Sequence, residues 1–183
     1  MALQAIRYTH APESPATLEI LDQLLLPHRS VYLPIQSAED AWNAIKRMNV
    51  RGAPAIAIVA ALGLAVEVGQ WDISKDSALE VKDKIFKKLE YLVTSRPTAV
   101  NLWDAVRRLK MIVAKAEEKH PQAADKIIAA YMSAAEGMLE KDVSDNEAIG
   151  RNGVEWIRKS AQSKGNRQQD LGKVKILTHC NTG

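Results

Sequence analysis

Val50-Arg51-Gly52-Ala53-Pro54-Ala55-Ile56-Ala57-Ile58-Val59-Ala60-Ala61-Leu62-Gly63-Leu64-Ala65-Val66-Glu67-Val68 opens on a basic turn and continues as the most apolar segment of the chain. The 14 residues from Ala53 to Val66 carry no charge. That is too short to span a bilayer and long enough for a helix buried in a domain core. Pro54 suits the first position of such a helix, where a missing N–H is no loss and φ is already set. Gly52 can take a backbone conformation that a Cβ forbids, and it admits close approach of a ligand to the chain. The free N–H groups of the first turn then face outward with the positive end of the helix dipole behind them. Arg51 adds a full charge, and the combination suits a phosphate. A solvated arginine ahead of a core helix is the plainer alternative, and on this stretch alone it stays open.

Working outward, 183 residues allow one domain, or one domain and a piece of a second. A hydrophobic fraction of 46% is that of a globular chain. The net charge is 25 − 22 = +3, a weak argument for nucleic acid. The densest basic run, Lys82, Lys84, Lys87 and Lys88, is interleaved with Glu80, Asp83 and Glu90 and reads as the wet face of a helix. No nucleic-acid or membrane partner is expected. The single cysteine, Cys180, excludes an internal disulfide, and the first residues lack an apolar signal core. A soluble, cytoplasmic protein is expected, with the nucleus as a second location.

In chain order, residues 3–8, Leu18–Leu21 and Val31–Ile35 read as three short strands of a small antiparallel sheet. Ser37 is placed to cap a helix with Glu39 and Asp40 in its first turn, and the pattern through Met48 ends at Asn49. After Gly69, Leu79, Ile85, Phe86, Leu89 and Leu92 make one helical face, broken at Thr94-Ser95-Arg96-Pro97-Thr98 because Pro97 disfavours helix at Arg96. Leu102, Val106, Leu109, Ile112 and Val113 make the next face. Pro121 restarts the pattern through Ile128, Tyr131, Met132 and Ala135, and a last helix carries Ile149, Trp156 and Ile157. These stripes are read as core.

The segment 162–173 is polar and aperiodic and reads as a linker. Val174-Lys175-Ile176-Leu177-Thr178 then reads as a strand, so the expected organisation is an N-terminal sheet-plus-helix domain over 1–161, the linker, and the first strand and loop of a second domain over 174–183. Arg96 is a second candidate anion ligand, in a break just before a helix start as Arg51 is. Two surface arginines in loops is the alternative. Cys180 sits at the carboxyl end of the terminal strand, where open α/β sheets bind ligands; a buried cysteine acting as a small hydrophobe is the alternative there. There is no Cys/His cluster of zinc spacing, no G-x-G-x-x-G and no Walker A sequence.

Taken together, Leu21-Asp22-Gln23 with Leu26-Pro27, Val50-Arg51-Gly52-Ala53-Pro54-Ala55-Ile56, Ser95-Arg96-Pro97-Thr98-Ala99-Val100-Asn101, Glu140-Lys141-Asp142 with Asp145-Asn146, and Leu177-Thr178-His179-Cys180-Asn181 resemble methylthioribose-1-phosphate isomerase of methionine salvage. The match runs through essentially the whole chain in the family's order. It implies an overall α/β fold: a small antiparallel sheet with a helical bundle (an α+β domain), followed by a Rossmann-like domain, of which this sequence would hold the first strand. Regulatory subunits of a translation initiation factor's exchange complex share that fold, so a non-catalytic regulatory or assembly subunit is the alternative function. A ribose-bisphosphate isomerase on the same scaffold is another.

The resemblance implies an aldose–ketose isomerisation of 5-methylthioribose 1-phosphate to 5-methylthioribulose 1-phosphate, with a small sugar phosphate as partner and no metal or organic cofactor. It places Arg51, Gly52, Ala53 and Arg96 at the substrate and gives Cys180 a catalytic role at the reacting carbons. The phosphate on C1 blocks spontaneous ring opening, so an acid must serve the ring oxygen. In the family that acid is an aspartate of the second domain, beyond Gly183. The expectation is a homodimer in full-length members and an inactive chain when this sequence stands alone.

Overall fold

A computed structural model describes residues 4–11, 14–163 and 176–177. The chain divides into two units, Met1–Met138 and Leu139–Gly183. The first begins with a three-stranded antiparallel sheet, β1 (Ile6–Ala11), β2 (Ser14–Leu21) and β3 (Tyr32–Pro34), in the order β1-β2-β3. Register runs from Ile6 opposite Ile20 to Ala11 opposite Ser14, with an irregularity between Thr9 and Ala11. Strand β2 starts earlier than its apolar run suggests, because Ser14 and Pro15 already belong to the hairpin. Ala16, Leu18 and Ile20 alternate onto the buried face, as a one-sided sheet requires.

The helices are α1 (Ala38–Lys46), α2 (Ala53–Val68), α3 (Ala78–Val93), α4 (Val100–Lys119) and α5 (Ala124–Ser163). This small sheet with five helices is an α+β arrangement. Helix α2 is the hub: it touches α1, α3, α4, β1 and β2. A helix walled in on every side has no wet face, and its residues from Ile56 to Val66 are all buried. Burial of Leu62 and Leu64 contributes about 1.5–3 kcal/mol each. Gly63 lets α1 approach closely; a Cβ there would lie 2.6 Å from that of Ala41. The start of α5 closes the unit, where buried Tyr131 donates its hydroxyl to the Ala61 carbonyl of α2 at 2.9 Å. Burial pushes that phenol's pKa well up. Glu136 of α5 accepts from the Tyr8 hydroxyl at 2.8 Å and meets His10 Nδ1 at 2.7 Å, pinning β1. Burial, then Glu136, raises the Tyr8 pKa.

Several expectations are corrected. Helix α1 stops at Lys46, three residues before Asn49, because Met48 turns left-handed. The pattern after Pro121 and the expected last helix form one helix, α5. In its second-unit part, Ile149 and Trp156 are each 70% exposed and are not core among the described residues. That part is held by Lys141–Asp145, Glu147–Arg151 and Glu155–Lys159 pairs at i,i+4 spacing, worth a few tenths of a kcal/mol each, about 0.2–0.5. On the expected core faces, Leu79 and Ile112 are exposed, while Val81 of α3 and Ile127 of α5, which those faces did not include, are buried. Helix α5 also takes in Gln162 and Ser163, the first residues of the expected linker; 164–173 lie outside the described residues. Of the expected strand 174–178, Ile176 and Leu177 are described: both are exposed and neither is in a strand. Its other residues lie outside the described ones.

Candidate functional site

The connection Arg47–Gly52 between α1 and α2 is built from unusual backbone. The last turn of α1 closes as a Schellman motif: Asn49 N–H donates to the Ala44 carbonyl at 2.9 Å and Met48 N–H to the Ile45 carbonyl at 3.1 Å. The left-handed position such a motif needs falls on Met48, at φ 64°. Glycine or asparagine usually stands there, and a side chain with a full Cβ costs about 1–2 kcal/mol. Gly52 follows at φ 97° and ψ 129°, which L side chains rarely adopt. These two are the positive-φ positions found among the described residues, and both lie in this one connection. Strain so concentrated persists only where the surroundings over-determine it, and it collects at ligand sites.

The surroundings are visible. Val50 is buried between the helices. Asp22, 8% exposed at the start of the loop after β2, accepts Leu24 N–H and Asn49 Nδ2–H on the same Oδ1, each at 3.0 Å. Gln23 N–H donates to the Asn49 carbonyl at 2.9 Å. Arg51 lies half-buried with its Nε turned to the Met48 carbonyl at 3.4 Å, and among the described residues neither terminal nitrogen of the guanidinium has a hydrogen-bond or ion-pair partner. Among the described residues no hydrogen bond takes the N–H of Gly52, Ala53 or Ala55, and Ala53 and Pro54 are exposed.

The second arginine is placed by a comparable break. Thr94, Ser95 and Arg96 each donate N–H three residues back, to Tyr91, Leu92 and Val93, tightening the end of α3. Ser95 is buried and its Oγ bonds the Leu92 carbonyl at 2.6 Å. Ala99 N–H returns to the Arg96 carbonyl at 3.0 Å, and Trp103 Nε1 donates to the Pro97 carbonyl at 2.7 Å. Arg96 is half-buried on this braced segment, and among the described residues its side chain makes no hydrogen bond and no ion pair.

Two comparisons within the molecule set these positions apart. Helices α1 and α3 are capped by Ser37 and Ser77, whereas α2 and α4 have no side-chain cap, and those are the helices that follow Arg51 and Arg96. Of the half-buried lysines and arginines among the described residues, Lys82, Lys88 and Lys110 each hold a carboxylate; Arg51 and Arg96 hold none. Uncapped amides, a dipole end and an unneutralised guanidinium together suit an oxyanion. No hydrogen bond or ion pair joins Arg51 to Arg96. A wide cleft of about 680 Å³ lies elsewhere, lined by Glu67, Trp71, Asp72, Lys88 and Tyr91 among others. There Lys88 is neutralised by Glu67 at 2.7 Å and Lys84 by Asp76 at 2.6 Å, so size alone does not mark a place suited to an anion.

The sequence placed Arg51, Gly52, Ala53 and Arg96 at helix starts, and they stand there. It missed Met48 and the grip of Asp22 on Asn49, a contact across 27 residues with no local signal. Cys180 and His179 lie outside the described residues. Among the described residues there is no group of three or more His, Cys, Asp or Glu side chains fit for a metal ion, and no helix long and apolar enough to cross a membrane.

The family model of the initiation factor 2 subunit family matches residues 49–183. The chain is 54% identical over 183 residues to methylthioribose-1-phosphate isomerase of Pyrenophora tritici-repentis, covering 100% of this chain and 44% of that protein. It is 50% identical over 185 residues to the enzyme of the same name from Yarrowia lipolytica, covering 100% and 47%. The chain thus spans a little under half the length of these curated relatives. Among solved structures it resembles 5-methylthioribose 1-phosphate isomerase from Pyrococcus horikoshii OT3, with a TM-score of 0.72 and 30% identity over 83% of this chain and 40% of that one. It also resembles translation initiation factor eIF-2B, subunit delta, from A. fulgidus, with a TM-score of 0.63 and 27% identity over 78% and 38%.

Proposed function

The chain belongs to the initiation factor 2 subunit family, and we propose that within it the chain serves the isomerisation of 5-methylthioribose 1-phosphate to 5-methylthioribulose 1-phosphate, contributing the groups that hold the phosphate. The observation that carries this reading is the pair of unneutralised, half-buried arginines, each ahead of an uncapped helix. The relatives' names supply the substrate to which a phosphate site of this kind would belong. In this reading Arg51, the Gly52 and Ala53 amides and Arg96 close on one phosphate. Holding the dianion fixes C1 and C2 of the sugar against the reacting groups, and fixed geometry is worth a large share of a barrier. Cys180 acts at those carbons, and an acid protonates the ring oxygen so that the ring opens. A Rossmann-like domain begins after the helical part, and the working unit is a homodimer.

The likeness to the eIF-2B delta subunit keeps a regulatory reading testable beside this one. A chimera separates them: the 183 residues of this chain replace the matching segment of the Pyrenophora tritici-repentis isomerase. Turnover of methylthioribose 1-phosphate by the folded chimera is expected. A folded chimera without turnover would favour the regulatory reading.

A further inference from the structure

We infer that Asp22 is a positioning residue for the anion site: its buried carboxylate holds the Arg47–Gly52 connection in the shape that presents Arg51 and the free amides of α2. The inference rests on the phosphate reading above. Asp22 touches no ligand position itself. It acts through Asn49, which is held at its N–H, its carbonyl and its side-chain NH₂. Its N–H is spent on Ala44, its carbonyl on Gln23 N–H, and its side-chain amide on Asp22 Oδ1. A carboxylate only accepts, so the Asn49 side chain must turn its NH₂ toward Asp22. Those three bonds hold the residue, and it stands between strained Met48 and Arg51.

The same Oδ1 accepts Leu24 N–H, which folds the 22–24 segment back onto itself. Asp22 N–H in turn donates to the Val31 carbonyl at 2.8 Å, so the end of the sheet anchors the clasp. Among the described residues no lysine, arginine or histidine is paired with Asp22; its donors there are the neutral Leu24 N–H and Asn49 NH₂. A buried carboxylate needs such donors. Once Oδ1 is removed, the Asn49 side chain is released, and only the two Schellman bonds and the Gln23–Asn49 bond are left to hold Met48 left-handed against its own preference for negative φ. Relaxation there lets α1 continue by part of a turn and swings the Met48 carbonyl away from Arg51 Nε. Arg51 and Gly52 then lose the common orientation on which a phosphate would depend.

The test titrates inorganic phosphate into the 183-residue chain and follows the Gly52 and Ala53 amides in ¹⁵N–¹H spectra. Saturable shifts at those amides are expected in the unaltered chain, and a large loss of affinity in Arg51→Ala. Asp22→Ala, at a temperature where its spectrum shows a folded chain, is expected to weaken binding about tenfold, the scale for removing a residue that orients a direct contact. Asp22→Asn keeps the Oδ1 acceptor for both donors and is expected to bind like the unaltered chain. That rescue distinguishes orientation from mere packing. Should Asp22→Ala not fold, Asn49→Ala, which leaves the Asp22–Leu24 turn intact, is expected to show the same weakening. Normal affinity in folded Asp22→Ala or Asn49→Ala, beside a weakened Arg51→Ala, overturns the inference alone. No saturable binding by the unaltered chain, or full binding by Arg51→Ala, overturns the phosphate reading and the inference with it.

Discussion

Replacing Gly52 by alanine separates backbone strain from crowding. An added Cβ would meet only the Ala55 Cβ, at 3.9 Å, an ordinary contact. The whole cost must therefore come from holding an L residue at φ 97°. Such conformations cost about 1–3 kcal/mol, and alanine recovers about 0.4–1 kcal/mol through a less flexible unfolded chain. The net expectation is a loss of about 1–2 kcal/mol. For a chain of this size that lowers Tm by roughly 2–8 °C. Urea unfolding followed by circular dichroism at 222 nm measures it, with the slope against denaturant unchanged if the unfolded state is the same. The alternative to a drop is that residue 52 rotates to negative φ and α2 starts differently, which would appear as moved Gly52 and Ala53 amide resonances. Equal or greater stability with those resonances unmoved would refute the strain argument.

Gly63→Ala should fail for the opposite reason: its Cβ would sit 2.6 Å from that of Ala41, on a backbone that cannot step aside. Overpacking of about 1–3 kcal/mol outweighs the roughly 0.5–1 kcal/mol gained by removing a mid-helix glycine; equal stability in urea would show that α1 yields freely. Tyr131→Phe removes one buried hydroxyl bond to Ala61 and should cost about 1 kcal/mol, read as a Tm drop of roughly 2–4 °C; no drop would mean that bond is not formed. The Ser77 N–H and then its hydroxyl hold the Glu80 carboxyl below its ordinary value of 4.5. Because the folded pKa is the lower one, this contribution is present above the unfolded pKa and fades as pH falls through the folded one. The stability difference between the parent chain and Glu80→Gln should therefore be constant near neutrality and shrink only below pH 4.5; a difference that is flat through that range contradicts the capping box.

What could be read from residues alone follows the range of the forces involved. Ser37 as a cap, Pro54 at the start of α2 and Gly52 in a glycine-only conformation are local matters; Ser37 and Gly52 stand where spacing put them, and Pro54 is the second helical residue instead of the first. The buried hub helix was legible because a charge-free run of that length has few other places to go. The misses need partners far away in sequence. Met48 offers no local reason to turn left-handed; Asn49, gripped from residues 22 and 23, supplies it. The stripe through Ile149 and Trp156 has helical spacing, but spacing does not say whether anything covers a face. Arg51 and Arg96 were picked out by position, yet what sets them apart among the half-buried lysines and arginines of the described residues, the lack of a carboxylate, appears only in three dimensions.

The most direct test of the phosphate site is a double-mutant cycle by isothermal titration calorimetry. Methylthioribose 1-phosphate is titrated into the chimera and its Arg51→Ala, Arg96→Ala and doubly substituted forms. Each single change is expected to cost about 2–4 kcal/mol, the scale of a charge-assisted contact at a desolvated site. The double change should cost less than the sum by about 0.5–3 kcal/mol, because both arginines would hold one phosphate. Affinity unchanged by either single substitution, or losses that simply add, would contradict a shared anion site.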